Sequence, residues 1–161
     1  MKTVITTVFI LFSAGILAEV VRYPLPNNST FPISQAVEVK AGTTLVFHSG
    51  TVPGAANSKA ERFSREFWGD TKTQAISVFN RIEGSLKEKD LGLGDVIKMT
   101  VFLVGVPENN GRMDFSGFME AYTQYFGTKE QPNLPARSAV QVADLAAPGM
   151  LVEIEVVLAR P

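Results

Sequence analysis

Nine consecutive residues, Val96-Ile97-Lys98-Met99-Thr100-Val101-Phe102-Leu103-Val104, constrain the fold more than any other part of the chain. The run is rich in β-branched and aromatic residues, which marks a strand buried on one face or both. Helical patterns flank it. Upstream, Asp70 can cap a helix reaching about residue 89, whose apolar residues Ala75, Phe79, Ile82 and Leu86 recur at spacings of four, three and four. Downstream, residues 106–111 turn the chain. A second helix is predicted over about 112–126, with Phe115, Phe118, Met119, Tyr122 and Phe126 on one side and Gly127 as its stop.

The remaining elements read as strands. Val37-Glu38-Val39 and Thr44-Leu45-Val46-Phe47, around an Ala41-Gly42 turn, predict a two-strand hairpin. Residues 138–142 and 151–158 supply two more strands, separated by the Ala146-Ala147-Pro148-Gly149 loop. The order ββαβαββ is an α+β domain over residues 31–161, with two helices on one face of a mixed sheet. The other face must meet water or another copy. Val101, Leu103, Val152, Ile154 and Val156 are expected to place too much apolar surface there for a solitary chain, so self-association follows. The polar stretch to Gly69 extends a loop, and Phe63, Phe67 and Trp68 suggest that it packs down.

Residues 1–18 have a short basic start, an apolar stretch and a small residue before Glu19, the pattern of a cleaved secretory signal. The stretch is too short for a stable membrane span, which needs roughly 20 residues. A retained hydrophobic anchor or an added strand is the alternative. Residues 19–30 form an N-terminal segment in which Asn27 and Asn28 each begin a glycosylation sequon. Export is therefore expected, with a cytoplasmic location as the alternative.

Composition removes many function classes. There is no cysteine, so thiol catalysis, disulfides and thiolate metal sites are excluded, and a histidine-paired nucleophile would have to use the single His48. Net charge is −1 with no basic run, which argues against a nucleic-acid partner. Two residues stand out. Arg137 follows Pro135 at the start of a strand and can grip a carboxylate with two parallel hydrogen bonds, or form an ordinary salt bridge. Glu153 and Glu155 share one face of the last strand, where they either line a cleft and position a water or form a polar edge. Ser49-Gly50 closes a strand and could offer a hydroxyl and backbone amides. His48 reads as a strand residue with a satisfied ring.

Taken together, Ser49-Gly50-Thr51-Val52-Pro53, Gly94-Asp95-Val96-Ile97-Lys98-Met99-Thr100-Val101-Phe102-Leu103, residues 118–126, Pro135-Ala136-Arg137-Ser138-Ala139-Val140 and Val152-Glu153-Ile154-Glu155 resemble the Rid family of reactive intermediate deaminases, also called YjgF-like proteins. The resemblance implies a chorismate-mutase-like fold, a homotrimer with clefts between subunits, and hydrolysis of enamine/imine intermediates to keto acids and ammonia without metal or organic cofactor. A non-catalytic binding or chaperone-like role, or a biosynthetic tautomerase or cyclase in the same cleft, are the alternatives. By the resemblance, Arg137 binds the substrate carboxylate and Glu153 holds the attacking water, aided by the Ala139 carbonyl, with Ser49 in the same cleft. Ile33 and Met119 stand where the family commonly has tyrosine and asparagine, and Ala139 where it has cysteine. The first two departures imply a more apolar cleft and a bulkier substrate, while the change at Ala139 is tolerable because the role there falls to the backbone.

Overall fold

The computed structural model describes residues 20–161; the expected leader and its cut before Glu19 lie outside the described residues. Among the described residues the strands are β1 (Val20–Pro24), β2 (Ser34–Val39), β3 (Leu45–Thr51), β4 (Val96–Val106), β5 (Arg112–Met113), β6 (Ala136–Val142) and β7 (Val152–Ala159). The helices are α1 (Arg65–Trp68), α2 (Thr71–Lys87) and α3 (Phe115–Tyr122). The sheet runs β1-β2-β6-β4-β7-β3, with β5 pairing the end of β4. It is the expected α+β arrangement with a mixed sheet. β4, the long apolar run, lies inside it, parallel to β6 and antiparallel to β7.

Helix α2 forms as its sequence dictates. The Asp70 carboxylate accepts from the Thr73 amide at 2.8 Å, and that bond holds the carboxyl below its usual range. Ala75, Phe79, Ile82 and Leu86 are all buried against the sheet. Helix α3 is shorter than its apolar pattern. Arg112 and Met113 pair with Val106 and Gly105 instead, and Asp114 starts the helix by accepting from the Gly117 amide at 2.9 Å. Phe126, four residues beyond Tyr122, is still buried, in a turn that ends at Gly127 with φ +74°. The polar stretch before α2 packs down as expected. Trp68 Nε1 donates to the Pro148 carbonyl at 2.9 Å.

Three expectations need correction. First, Met99, Val101 and Leu103 share the pleat with Val156, Ile154 and Val152 across the β4–β7 ladder, and all six are buried in one core with α2 and α3. They lie beneath the helices, not on the open face. The register assigns the more apolar set of each strand to the covered side, a choice that alternation in one strand cannot reveal. The open face instead carries Lys98, Thr100, Phe102, Glu153, Glu155 and Val157, with Phe47 and Val140 strongly exposed.

Second, β2 and β3 are no hairpin. β2 pairs with β1 and touches β6 at Ser34↔Ala136, whereas β3 pairs with β7 from Leu45↔Ala159 to Thr51↔Ile154. The Gly42 turn, at φ +89°, joins strands whose edges are taken by distant partners. Third, residues 20–24 are part of the sheet. β1 pairs along its length with β2, and the Arg22 guanidinium donates to the carbonyls of Leu134 at 2.8 Å and of Val96 and Gly94 at 3.0 Å. Asn27 and Asn28 follow in an exposed left-handed turn. No helix among the described residues is long and apolar enough to cross a membrane.

Candidate active site

Arg137 opposes Met99 of β4, so its side chain leaves the sheet on the helix-covered face and runs under α3. Its backbone is held from both sides. The Pro135 carbonyl accepts from the Ser34 amide at 3.0 Å, and the Leu134 carbonyl accepts from both Ser34 Oγ at 2.7 Å and Arg22. The guanidinium carbon lies 4.1 Å from the Tyr122 ring centroid, 5.2 Å from that of Phe118, 5.5 Å from Phe31 and 5.9 Å from Phe115. Such faces attract a cation by about 0.5–2 kcal/mol each way they are measured. Nη2 meets the Met119 sulfur at 3.2 Å, and Nη1 is enclosed with no acceptor.

An enclosed N–H without a partner costs about 1–3 kcal/mol, so the group is poised to donate to a ligand oxygen. Among the described residues no ion pair involves Arg137. Burial lowers its pKa, with the nearby Tyr122 opposing, yet a guanidinium stays charged at neutral pH. Burial likewise pushes the Tyr122 phenol up to about 12, against the pull of Arg137 and Arg22, and its hydroxyl donates to the Pro32 carbonyl at 2.8 Å.

Met119 therefore touches the guanidinium directly. Ile33 lies one residue beyond Pro32, half-buried at a hollow of about 280 Å³ that Phe31 also borders. Ala139 sits opposite Val101, partly covered by the same core. Past Ala136 the outer edge of β6 has no strand partner among the described residues, so the Ala139 backbone lies on an open edge.

Glu153 belongs to the other side. It opposes Phe102 on the open face, and its carboxylate packs against Gly50. The contact depends on a bulge. His48 pairs with Val156 and Thr51 with Ile154, so Ser49 and Gly50 together face one residue of β7. A Cβ at Gly50 would fall on Glu153 Oε1 and lie 2.9 Å from the carboxyl carbon. Ser49 borders a hollow of about 340 Å³ with Lys98, Thr100 and Glu155. Glu155, which is exposed, lines that hollow; Glu153 is half-buried against Gly50 and does not line it. His48 turns to the helix side, with Nε2 3.0 Å from Ser85 Oγ and Nδ1 2.9 Å from the Ser49 carbonyl, a satisfied ring as expected.

Within one chain Arg137 and Glu153 lie on opposite faces of the sheet. Arg137 is in register with Met99 and Glu153 with Phe102, an odd offset along β4, so the sheet lies between the two side chains. Any site using both must take them from two copies. Sequence reasoning missed Phe31, and it singled out Gly50 only for its backbone amide, not for its contact with Glu153. Phe31 had no signal beyond preceding Pro32, and Gly50 reads locally as a turn rather than as room for a carboxylate.

The family model described as Endoribonuclease L-PSP matches residues 26–160. A RutC family protein of Pyrococcus horikoshii is 36% identical over 126 residues, covering 78% of this chain and 85% of its own length. TdcF of Escherichia coli K12, named for reactive intermediate deamination, is 32% identical over 129 residues, covering 80% of this chain and 87% of its own. The solved structure of E. coli TdcF with bound serine matches with a TM-score of 0.56 at 29% identity, covering 83% of this chain and 91% of that one. A Rid protein of Yersinia pestis reaches a TM-score of 0.64 at 22% identity over 86% of this chain and 98% of that one, which shows the shared fold. The chain belongs to the Rid family, the YjgF-like proteins.

Proposed function

We propose that this protein hydrolyses enamine/imine intermediates to keto acids and ammonia in clefts between copies of the chain, arranged as a homotrimer. The observation that carries the reading is the Arg137 guanidinium, a fixed cation with an enclosed Nη1 that has no acceptor. A substrate carboxylate supplies that acceptor. The relation to TdcF, whose structure holds serine, supports a small amino-acid-derived ligand. The placement of Arg137 and Glu153 on opposite faces supports a site completed by a neighbour.

The chemistry needs orientation more than force, because an imine carbon is already electrophilic. With the carboxylate on Arg137, Glu153 of the adjoining copy orients a water and takes its proton as the oxygen adds to the imine carbon. Glu153 passes its proton to the nitrogen, the new hydroxyl gives up its own to the same nitrogen as the carbonyl forms, and the carbon–nitrogen bond breaks to release ammonia. Ser49 and the Ala139 backbone edge border the same cleft, and Ile33 and Met119 line its Arg137 side.

The test uses imino acids generated by an amino-acid oxidase, with ammonia release followed in time. Arg137→Ala and Glu153→Gln should each abolish the acceleration. Co-folding the two variants in equal amounts should restore about a quarter of the activity, because that share of clefts regains both groups from different chains. Two inactive variants that never complement would refute a shared cleft. A binding-only role is the second reading, favoured by the tight enclosure of Nη1; full activity loss in Glu153→Gln with retained ligand affinity would count against it.

A further inference from the structure

The groups that meet the Arg137 guanidinium are four aromatic rings and a thioether. Phe31 is the outermost of the rings. It is 40% exposed and stacks on Phe115 with centroids 6.4 Å apart and planes 21° from parallel. Its other side borders the hollow of about 280 Å³ shared with Pro24, Leu25, Ile33, Pro132 and Leu134.

Most polar groups at that hollow are already committed to the protein's own backbone. Ser34 Oγ donates to the Leu134 carbonyl at 2.7 Å, Ser29 Oγ accepts from the Phe31 amide at 3.3 Å, and Arg22 is spent on three carbonyls. What remains at that hollow is largely apolar surface, joined to the guanidinium through Phe31, whose ring centroid lies 5.5 Å from the guanidinium carbon. A polar side chain seated there gives up its water without gaining partners, whereas an apolar one is drawn out of water.

We infer that the Arg137 half-site selects 2-imino acids, and the matching 2-keto acids, whose side chain is aromatic or branched aliphatic. The carboxylate takes Arg137 and the side chain lies over Phe31 and Ile33. The inference rests on the proposed hydrolysis for its substrate, yet it is a statement about binding and can be tested apart from turnover. Each methylene buried is worth about fourfold in affinity, and pocket discrimination of this kind spans roughly 10- to 200-fold.

The experiment titrates the wild-type protein with phenylpyruvate, 4-methyl-2-oxopentanoate and pyruvate by calorimetry. The first two should bind at least about tenfold more tightly than pyruvate. Ile33→Asn and Phe31→Ser should each narrow that ratio to about threefold or less, and Arg137→Ala should remove binding of all three. Pyruvate binding as tightly as the larger acids, or no binding of any, overturns the inference, and the wild-type ratio decides it even if a variant fails to fold. Turnover of the corresponding imines is read in parallel. Selective binding without turnover supports this selectivity and retires the hydrolytic reading; turnover fastest on the alanine-derived imine overturns the selectivity and leaves hydrolysis standing.

Discussion

A methyl group added at Gly50 lands on the Glu153 carboxylate. Built on the existing backbone, the new Cβ overlaps Oε1 and lies 2.9 Å from the carboxyl carbon and 3.2 Å from Cγ. Ordinary contact needs about 3.5 Å, so the carboxylate must withdraw by roughly 1–2 Å. What yields is the end of a flexible side chain, and Gly50 is not among the residues with positive φ, so alanine fits its backbone.

Restricting the unfolded chain contributes about 0.4–1 kcal/mol, and an off-rotamer glutamate costs about 0.5–1.5 kcal/mol. The two nearly cancel, leaving a Tm shift of a few degrees at most. Catalysis is less forgiving, since misplacing a reacting group by about 1 Å costs about 100-fold. Gly50→Ala should therefore lower kcat on imino acids about 100-fold with little change in KM, because the Arg137 half-site is untouched. Steady-state ammonia release and a thermal melt read both arms. Full turnover in Gly50→Ala beside an inactive Glu153→Gln would refute the reasoning that the missing side chain makes room for the carboxylate. A melt lowered by more than about 8 °C would refute the claim that only a side chain gives way.

Three further outcomes follow from the packing. Asp70→Ala removes the acceptor for the Thr73 amide and should cost about 1 kcal/mol in urea unfolding; because that carboxyl is depressed, its contribution is present above the usual carboxylate range and is lost as the pH falls below about 4. Gln74→Leu leaves the buried Leu151 amide and the Gly69 and Gly149 carbonyls without their partner, and should cost about 2–3 kcal/mol in the same assay. The Tyr122 phenol, raised to about 12, contributes stability that is full below pH 10 and lost as the pH rises towards 12. The loss should reach about 2–3 kcal/mol, and Tyr122→Phe should flatten that limb of the pH–stability curve.

How legible each part was depends on how local its cause is. The α2 stripe and its Asp70 cap are written within one element, and both form as read. Arg137 and Glu153 stand out because a lone cation after proline and a carboxylate among apolar strand residues are unusual at those places. Their mutual arrangement is not local. It depends on β4 lying between β6 and β7 in a particular register, and nothing in residues 137 or 153 encodes that register. The same cause misplaced Val101, Leu103 and Ile154 on the open face, and it hid the parting of β2 from β3, since each finds its partner more than a turn away. Arg22 was silent for a related reason: its acceptors are 72 to 112 residues distant in the chain.

That arginine sets how far the amino terminus can be trimmed. Proteolysis at the Ala18–Glu19 bond would spare every residue from Val20 onward, leaving the first ladder whole. Removing five residues more would strip the carbonyls of Gly94, Val96 and Leu134 of their common donor and free the outer edge of β2. Since Leu134 lies three positions ahead of Arg137, a shortened form would be expected to loosen the guanidinium before the core melts, so a tag or protease site belongs upstream of Val20.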